Sequence, residues 1–263
     1  MDRRGSTITT VSHRAHSKMK ELSMKLHRKR RDCLASEFVS ELSGIVYPKI
    51  PEIKLKELKA IWDRWMEERQ NAFTAKYGNI ALLLPIEVDE QLFKAIILFW
   101  DPFYRFFTFN QEDLTPTVEE YTTLLRISPP NPDKVFWKKA KKVPFRKKLA
   151  QMMNVDASLL AFVAKLKGKN ECVQCDFLER YMIENDDDDW VIDIFGLVVY
   201  GILIFPQSPG YVDAVVVDLI EQINNQANPV PTIVAETIRS LNFCRRKGEG
   251  DFIGCAQLLY MWI

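Results

Sequence analysis

Apolar residues that recur at three- and four-residue spacing over most of the chain restrict its fold more than any other feature. Between residues 55 and 65 this stripe consists of Leu55, Leu58, Trp62 and Trp65. The spacing places apolar side chains on one face of a helix and charged side chains on the other faces. Similar stripes recur as far as residue 263, so the sequence predicts a mainly α fold, a multi-helix orthogonal bundle.

Residues 104–109 depart from the helical period. The segment is short, rich in aromatic residues and bounded by Pro102 and Asn110, which is typical of a strand. We therefore expect at most one small β-hairpin in the domain.

The longest apolar stretch, residues 190–206, contains a single charged residue, Asp193. It is shorter than the roughly 20 residues that cross a bilayer as a helix. The stretch therefore predicts a buried helix, and we expect no association with a membrane.

The charge of the chain divides it into two parts. Residues 1–31 hold ten Lys or Arg against Asp2 and Glu21, whereas the remainder holds 26 basic and 33 acidic residues. Few apolar residues occur in the first part, so residues 1–32 are predicted to be a disordered basic tail. Residues 33–263 are predicted to form the helical domain, with a subdomain boundary near residues 128–144, where prolines and lysines interrupt the period.

All three histidines, His13, His16 and His27, lie in the tail. This placement excludes Ser-His-Asp, Cys-His and histidine-metal sites from residues 33–263. Carboxylate and lysine chemistry stays open, but these residue types are too common on surfaces to nominate a site. We therefore predict that the chain is not an enzyme and holds no cofactor.

Two short motifs have a chemical and a structural interpretation. Cys172 and Cys175 have the spacing of half a zinc knuckle or of a redox pair, yet no second such pair exists, so two incidental cysteines are favoured. Cys244 and Cys255 are the residues that would complete a four-thiolate site. The acidic run 186–189 is interpreted as dipole partners and caps at the N terminus of the following helix, in preference to a cation site.

The basic run at the end of the tail consists of Arg28, Lys29, Arg30 and Arg31. It is consistent with a nuclear-import signal, with a nonspecific nucleic-acid contact, or with a solvated charge run. The first interpretation predicts a nuclear or nucleocytoplasmic location.

A second basic stretch, residues 134–148, interleaves Phe136, Trp137 and Phe145 with eight cations. This composition is typical of a surface that stacks nucleobases, although an exposed connection anchored by its aromatic residues is the favoured interpretation. The residues that would contact nucleic acid are Lys138, Lys139, Lys141, Lys142, Arg146, Lys147 and Lys148.

Several motifs together carry a resemblance to a known family. They are FWDP at 99–102, YRFFTF at 104–109, LTPTVEEY at 114–121 and LLRI at 124–127. Further motifs are FRKKLA at 145–150, LNFCRR at 241–246 and GCAQLL at 254–259. Over residues 80–263 the chain resembles the plant-mobile-domain superfamily, and more closely a sister group of plant proteins whose domain has no assigned function.

The resemblance implies a mostly helical domain found in mobile genetic elements and in host proteins linked to silencing, without catalytic residues to transfer. The superfamily has an older label, aminotransferase-like. The chain contains no lysine in a context that resembles a pyridoxal-phosphate site. Relatives continue beyond the position of Ile263, so the domain is predicted to be truncated at its C terminus. We expect a noncatalytic interaction domain of mobile-element ancestry with a protein partner; the alternative is a nucleic-acid-binding protein.

Overall fold

In a computed structural model, the structure describes residue 21 and residues 47–50, 55–109, 112–127, 143–167, 170–206 and 209–263. The helices are α1 Lys56–Arg64, α2 Glu67–Tyr77, α3 Glu90–Ile97, α4 Val118–Leu125, α5 Phe145–Met152, α6 Ala157–Val163, α7 Cys175–Glu184, α8 Val191–Val199, α9 Ala214–Asn224, α10 Val230–Lys247 and α11 Ala256–Trp262. A 3-10 helix spans Asn79–Leu83, and a π-helical turn spans Tyr200–Ile204. The strands are β1 Tyr47–Lys49, β2 Trp100–Asp101, β3 Phe106–Phe109, β4 Glu112–Leu114, β5 Lys165–Lys167, β6 Asn170–Gln174, β7 Tyr211–Asp213 and β8 Glu249–Asp251.

The predicted multi-helix orthogonal bundle with at most one small β-hairpin is wrong. Helices predominate, but the described residues form eight strands in three sheets, so the fold is mixed α/β. The strands run for only two to five residues, which is too short for alternation to stand out from a helical period. Paired strands can also be far apart in sequence: β1 pairs in parallel with β8.

Three segments show how far the spacing of apolar residues predicted the secondary structure. The aromatic segment forms β3, which pairs antiparallel with both β2 and β4. The apolar stretch after Trp190 forms α8 and the π-helical turn, and both are buried, as predicted. The apolar stripe that begins at Leu55 lies on α1 as far as Trp62, and a separate helix, α2, follows because the backbone is extended at Trp65 and Met66.

The described chain divides into two compact units. The first contains described residues 47–50, 87–116 and 237–252, and the second contains residues 55–86, 117–236 and 253–263. Helix α10 begins in the second unit and ends in the first. The predicted tail, apart from Glu21, and residues 128–142 lie outside the described residues. The tail and the boundary near 128–144 therefore stay predictions.

In the first unit, a buried carboxylate holds the turn between β2 and β3. Asp101 Oδ1 accepts hydrogen bonds from the backbone N–H groups of Phe103 (2.9 Å) and Tyr104 (3.0 Å). Arg105, which completes the turn, has a left-handed backbone with φ of 62°, and its N–H donates to the Asp101 carbonyl. The turn is thus built from one side chain that satisfies two backbone donors.

The same turn faces the last part of α10. The indole of Trp100 donates to Asn242 Oδ1 at 2.8 Å, and Arg245 interacts electrostatically with Asp101. Asp101 and Arg245 are both buried. Burial lowers the pKa of Arg245 to about 10, and the Asp101 charge opposes that change. Charged groups that are taken out of water require such a partner.

The second unit packs around α8, whose residues from Ile194 to Val199 are all buried. Phe195 stacks on Trp62 with ring centroids 5.9 Å apart and contacts Trp65 and Phe73 at 4.7 and 5.2 Å. These rings join α1 and α2 to α8. The sheet β5–β6–β7 leads into α7 and α9 at the ends of its second and third strands.

The final helix, α11, also belongs to the second unit and packs against α4. Trp262 Nε1 donates to Glu120 Oε2 at 2.9 Å, and Glu120 also forms a capping box with Thr117. The hydroxyl cap of α4 is therefore Thr117. Among the helices of the described residues, none has both the length and the apolar composition to cross a membrane.

The Asp101–Arg245 pair generates a prediction about stability. Asp101→Asn keeps an oxygen for the turn but leaves Arg245 buried without its counter-charge, and we expect a loss of about 3–5 kcal/mol. Arg245→Met should also be destabilising, whereas the double variant should recover part of the loss. Urea unfolding followed by both far-ultraviolet circular dichroism and tryptophan fluorescence measures the cycle. A loss below about 1 kcal/mol for Asp101→Asn would contradict the pairing.

Candidate functional site

A cleft of about 370 Å³ opens in the second unit where the C-terminal ends of α2 and α9 meet. Its size lies in the range of small-molecule sites. We call it the Tyr77 cleft, and its lining residues are Ala75, Lys76, Tyr77, Gly78, Ile127, Tyr200, Ile223, Asn224, Gln226, Ala227 and Pro229.

Tyr77 is positioned by a close approach between α2 and α8. A Cβ atom on Gly196 would lie 3.0 Å from the Tyr77 ring, so the glycine lets the ring rest on the backbone of α8. The hydroxyl then reaches Asp193, which is three residues before Gly196 and therefore on the same helical face. It donates to Asp193 Oδ1 at 2.8 Å and lies 3.0 Å from Asn224 Oδ1.

Asp193 connects three residues of the lining. Besides Tyr77, it accepts hydrogen bonds from Lys76 Nζ at 2.5 Å and from Asn224 Nδ2 at 3.1 Å. The network thus joins α2, α8 and α9 through a single carboxylate. The sequence contained a signal for it, since Asp193 is the single charge in the longest apolar stretch.

The chemistry of the Tyr77 cleft is that of hydrogen bonding. Burial, and next the Asp193 carboxylate, raise the pKa of Tyr77 well above its usual value, so the phenol is neutral and acts as a donor. Burial also raises the pKa of Tyr200. Ala75 and Lys76 lie in the last turn of α2, where the backbone carbonyls lack a following helical N–H as partner. The cleft therefore combines acceptors with neutral hydroxyls, and neither tyrosine is prepared to act as a base.

A second feature of this unit is apolar and faces solvent. Phe162 is 88% exposed and Leu159 is 41% exposed; they are three residues apart on α6 and share a face. Leu166 follows on β5 and is 73% exposed. We call these three residues the apolar surface. The sequence missed it because residues 159–166 continue the helical period, whereas α6 ends at Val163.

The structure places only part of the predicted basic residues. Arg28, Lys29, Arg30 and Arg31 lie outside the described residues, as do Lys138, Lys139, Lys141 and Lys142. The other three occur on α5, which begins at Phe145.

On α5, two of the three cations contact acidic residues of the same unit. Arg146 Nε lies 3.0 Å from Glu171 Oε1, and Lys148 Nζ lies 2.8 Å from Asp218 Oδ1 and 2.5 Å from Glu221 Oε2. Burial opposes the charge of Lys148, but its two acidic partners outweigh that effect and raise the pKa of Lys148. Lys147 is exposed and forms no ion pair with a described residue.

The described cysteines are all buried and free of disulfides. Burial is the main cause that raises the pKa of Cys175, Cys244 and Cys255 to about 12 in each case. Cys172 Sγ donates to the Lys165 carbonyl within the sheet. Within the described ranges, no group of three or more His, Cys, Asp or Glu is placed to hold a metal ion.

The acidic run 186–189 has a role that the sequence did not indicate. Asp186 accepts a hydrogen bond from Trp65 Nε1 at 3.2 Å, and the carbonyls of Asp186 and Asp188 accept from the Arg69 guanidinium. Trp190, the residue at the N-terminal cap of α8, makes no side-chain capping bond. The run therefore connects α7 to α2 and does not provide the predicted cap.

The buried thiols lead to a prediction about reactivity. In a Cys33→Ser variant, which removes the cysteine outside the described residues, we expect very slow reaction with DTNB at pH 8 because a pKa near 12 leaves little thiolate. The rate should increase with pH, and urea should release rapid reaction. A thiol that reacts rapidly in the folded variant would contradict the burial.

Comparison with known proteins identifies the family of the chain. A search of curated proteins found no match, and a search of solved structures found none either. A family model described as "Domain of unknown function (DUF7745)" matches residues 58–263. This range includes the Tyr77 cleft, the apolar surface and the motifs at 99–102 and 241–246 of the first unit. The chain therefore belongs to the DUF7745 family, a domain of unknown function.

Proposed function

We propose that the chain is a noncatalytic interaction domain of mobile-element ancestry that binds a protein partner through the apolar surface. The observation that carries this proposal is the exposure of Phe162 (88%) and Leu166 (73%). Single exposed apolar residues are common, but three large ones between residues 159 and 166 form a local concentration. Burying a Phe or Leu side chain contributes about 1.5–3 kcal/mol, so two such residues supply much of the energy of a specific contact.

The charges near the apolar surface indicate the chemistry of the partner. Lys147 is exposed on α5, which packs against α6. Glu171 lies opposite Leu166 in the β5–β6 ladder, but Arg146 neutralises it. Because Arg146 neutralises Glu171 and Lys147 is exposed on the adjacent helix, the surroundings of the apolar surface suit a partner segment with apolar side chains flanked by Asp or Glu.

The noncatalytic part of the proposal is supported by residue chemistry. Residues 33–263 contain no histidine. The tyrosines of the cleft and the buried cysteines are held in their neutral forms, which are poor nucleophiles and bases at neutral pH.

The ancestry and the location are supported by sequence motifs. The motifs at 99–102 and 241–246, which carry the resemblance to plant mobile domains, contact each other through Trp100 and Asn242. Their joint presence is thus explained by a shared buried site. The basic run Arg28 to Arg31 supports a nuclear or nucleocytoplasmic location.

The nucleic-acid alternative is a second, weaker proposal. It would use the tail and the residues of the stretch 134–148 to neutralise phosphate. Arg146 and Lys148 already contact carboxylates, and a phosphate would have to replace Glu171, Asp218 and Glu221. Lys147 is the described residue of this stretch that favours the alternative.

The interaction proposal predicts a partner that depends on two side chains. A Phe162→Ser/Leu166→Ser variant should keep its stability within about 0.5 kcal/mol, because both side chains face solvent. It should lose a partner that the unaltered chain retains in quantitative affinity capture from nuclear extract. The captured protein is then purified and titrated, and we expect at least a tenfold weaker Kd for the variant, about 1.4 kcal/mol.

Met66→Ser is the matched control, since Met66 is 83% exposed in the same unit but outside the apolar surface. It should bind the partner normally. Equal retention by the unaltered chain and the double variant would exclude the apolar surface as the docking site. If sedimentation velocity shows a dimer that the double variant abolishes, a second copy occupies the surface and the acidic partner is excluded.

A salt titration tests the nucleic-acid alternative. Binding through phosphate predicts affinity for single-stranded DNA or RNA that decreases steeply with salt, with a slope reduced by about 1 in Lys147→Ala. Fluorescence anisotropy with a labelled oligonucleotide measures both. Absence of binding at low salt would eliminate the alternative and leave the protein-interaction proposal intact.

A further inference from the structure

We propose that the Tyr77 cleft binds a guanidinium group carried on a short apolar stem, such as an arginine side chain. The cleft is a separate site from the apolar surface, and the inference does not depend on the partner proposed above. Three properties of the cleft support it: its electrostatic potential, its acceptors and its apolar walls.

Negatively charged groups lie at the cleft and directly behind its lining. Helices α2 and α9 both direct their C-terminal ends at it, and each such end carries about half a negative charge. Asp193 adds a full negative charge that is hydrogen-bonded to three residues of the lining. The single ionic group of the described lining is Lys76, whose side chain is 38% exposed.

Lys76 forms an ion pair with Asp193. Its ammonium lies on a flexible stem at an exposed position, so it can move into solvent when another cation approaches Asp193. An ammonium at this place also shows that the carboxylate accepts a cationic donor in this environment.

The acceptors of the cleft match a guanidinium better than an ammonium. The carbonyls of Ala75 and Lys76 belong to the last turn of α2, which has no following helical N–H groups, and Asn224 offers a side-chain oxygen nearby. A guanidinium presents five N–H donors in one plane and can serve several acceptors at once. An ammonium has three donors and a stronger preference for water.

The remaining walls suit the stem of the ligand. Ile127, Ile223 and Pro229 are apolar, and the tyrosine rings add aromatic surface. Methylene groups that enter the cleft would contact these side chains, and a guanidinium plane can stack on an aromatic ring.

Ligand-observed NMR titration with n-butylguanidinium tests the proposal on the full chain. We expect saturable binding with a Kd of about 1 mM, as the size of the ligand allows. n-Butylammonium should bind more weakly, and n-butyrate should not bind. Absence of saturable binding by n-butylguanidinium, or equal or tighter binding of the ammonium or carboxylate, overturns the guanidinium assignment.

Variants locate the site and determine the sign of its charge preference. Ala75 is exposed and lines the cleft, so Ala75→Phe should obstruct it and weaken binding by about tenfold. Ala72→Phe, at an exposed position of the same helix outside the lining, should change the Kd by less than about twofold. Equal effects of the two variants would place the ligand elsewhere and overturn the proposal.

Lys76→Met should tighten binding by about tenfold because it removes a competing like charge. If the cleft instead received an anion at Lys76, the same variant would weaken binding, which overturns the proposal. Asp193→Asn should weaken binding by a similar factor, with Asp187→Asn, an exposed acid outside the network, as the charge-matched control. Circular dichroism melting of each variant separates a lost site from lost folding.

Discussion

A carboxylate in an apolar helix is the constraint on which the second unit depends. Asp193 stands in the longest apolar stretch of the chain, and the burial of the residues around it takes the carboxylate largely out of water. An unpaired charge in such surroundings would be costly, so the helix is stable only where donors reach it. Lys76, Tyr77 and Asn224 supply those donors from α2 and α9. The need to satisfy one side chain thus determines how three helices meet, and the Tyr77 cleft is the space that remains beside their ends.

In the first unit, a buried carboxylate is stabilised by an oppositely charged side chain. Asp101 gives its oxygen to two backbone donors of a tight turn, and Arg245 on α10 balances its charge. Trp100 and Asn242 add a hydrogen bond between the same two segments. This arrangement joins the segments 99–102 and 241–246, which are far apart in sequence. Each motif is unremarkable alone, and each supplies half of one buried polar site.

The two surfaces of the second unit differ in what they can recognise. The apolar surface offers large exposed apolar side chains, which suit the protein contact that we propose. The Tyr77 cleft offers hydrogen-bond acceptors and the C-terminal ends of two helices, which suit the cationic group that we propose. Arg146 and Lys148 form ion pairs that connect α5 to β6 and α9. A nucleic-acid contact by these residues stays a prediction.

The sequence by itself determined the helices with strong apolar stripes, the burial of α8, the strand within residues 104–109 and the absence of histidine from residues 33–263. These properties are local, since a period of 3.6 residues or a run of aromatics is present in the chain whether or not it is folded. Only the tertiary structure decided that Tyr47–Lys49 pairs with Glu249–Asp251, that Leu159 and Phe162 face solvent, and that Asp193 binds Lys76, Tyr77 and Asn224. Short strands, exposed apolar residues and the partners of a buried charge depend on which distant segments come together, and no local pattern records that choice.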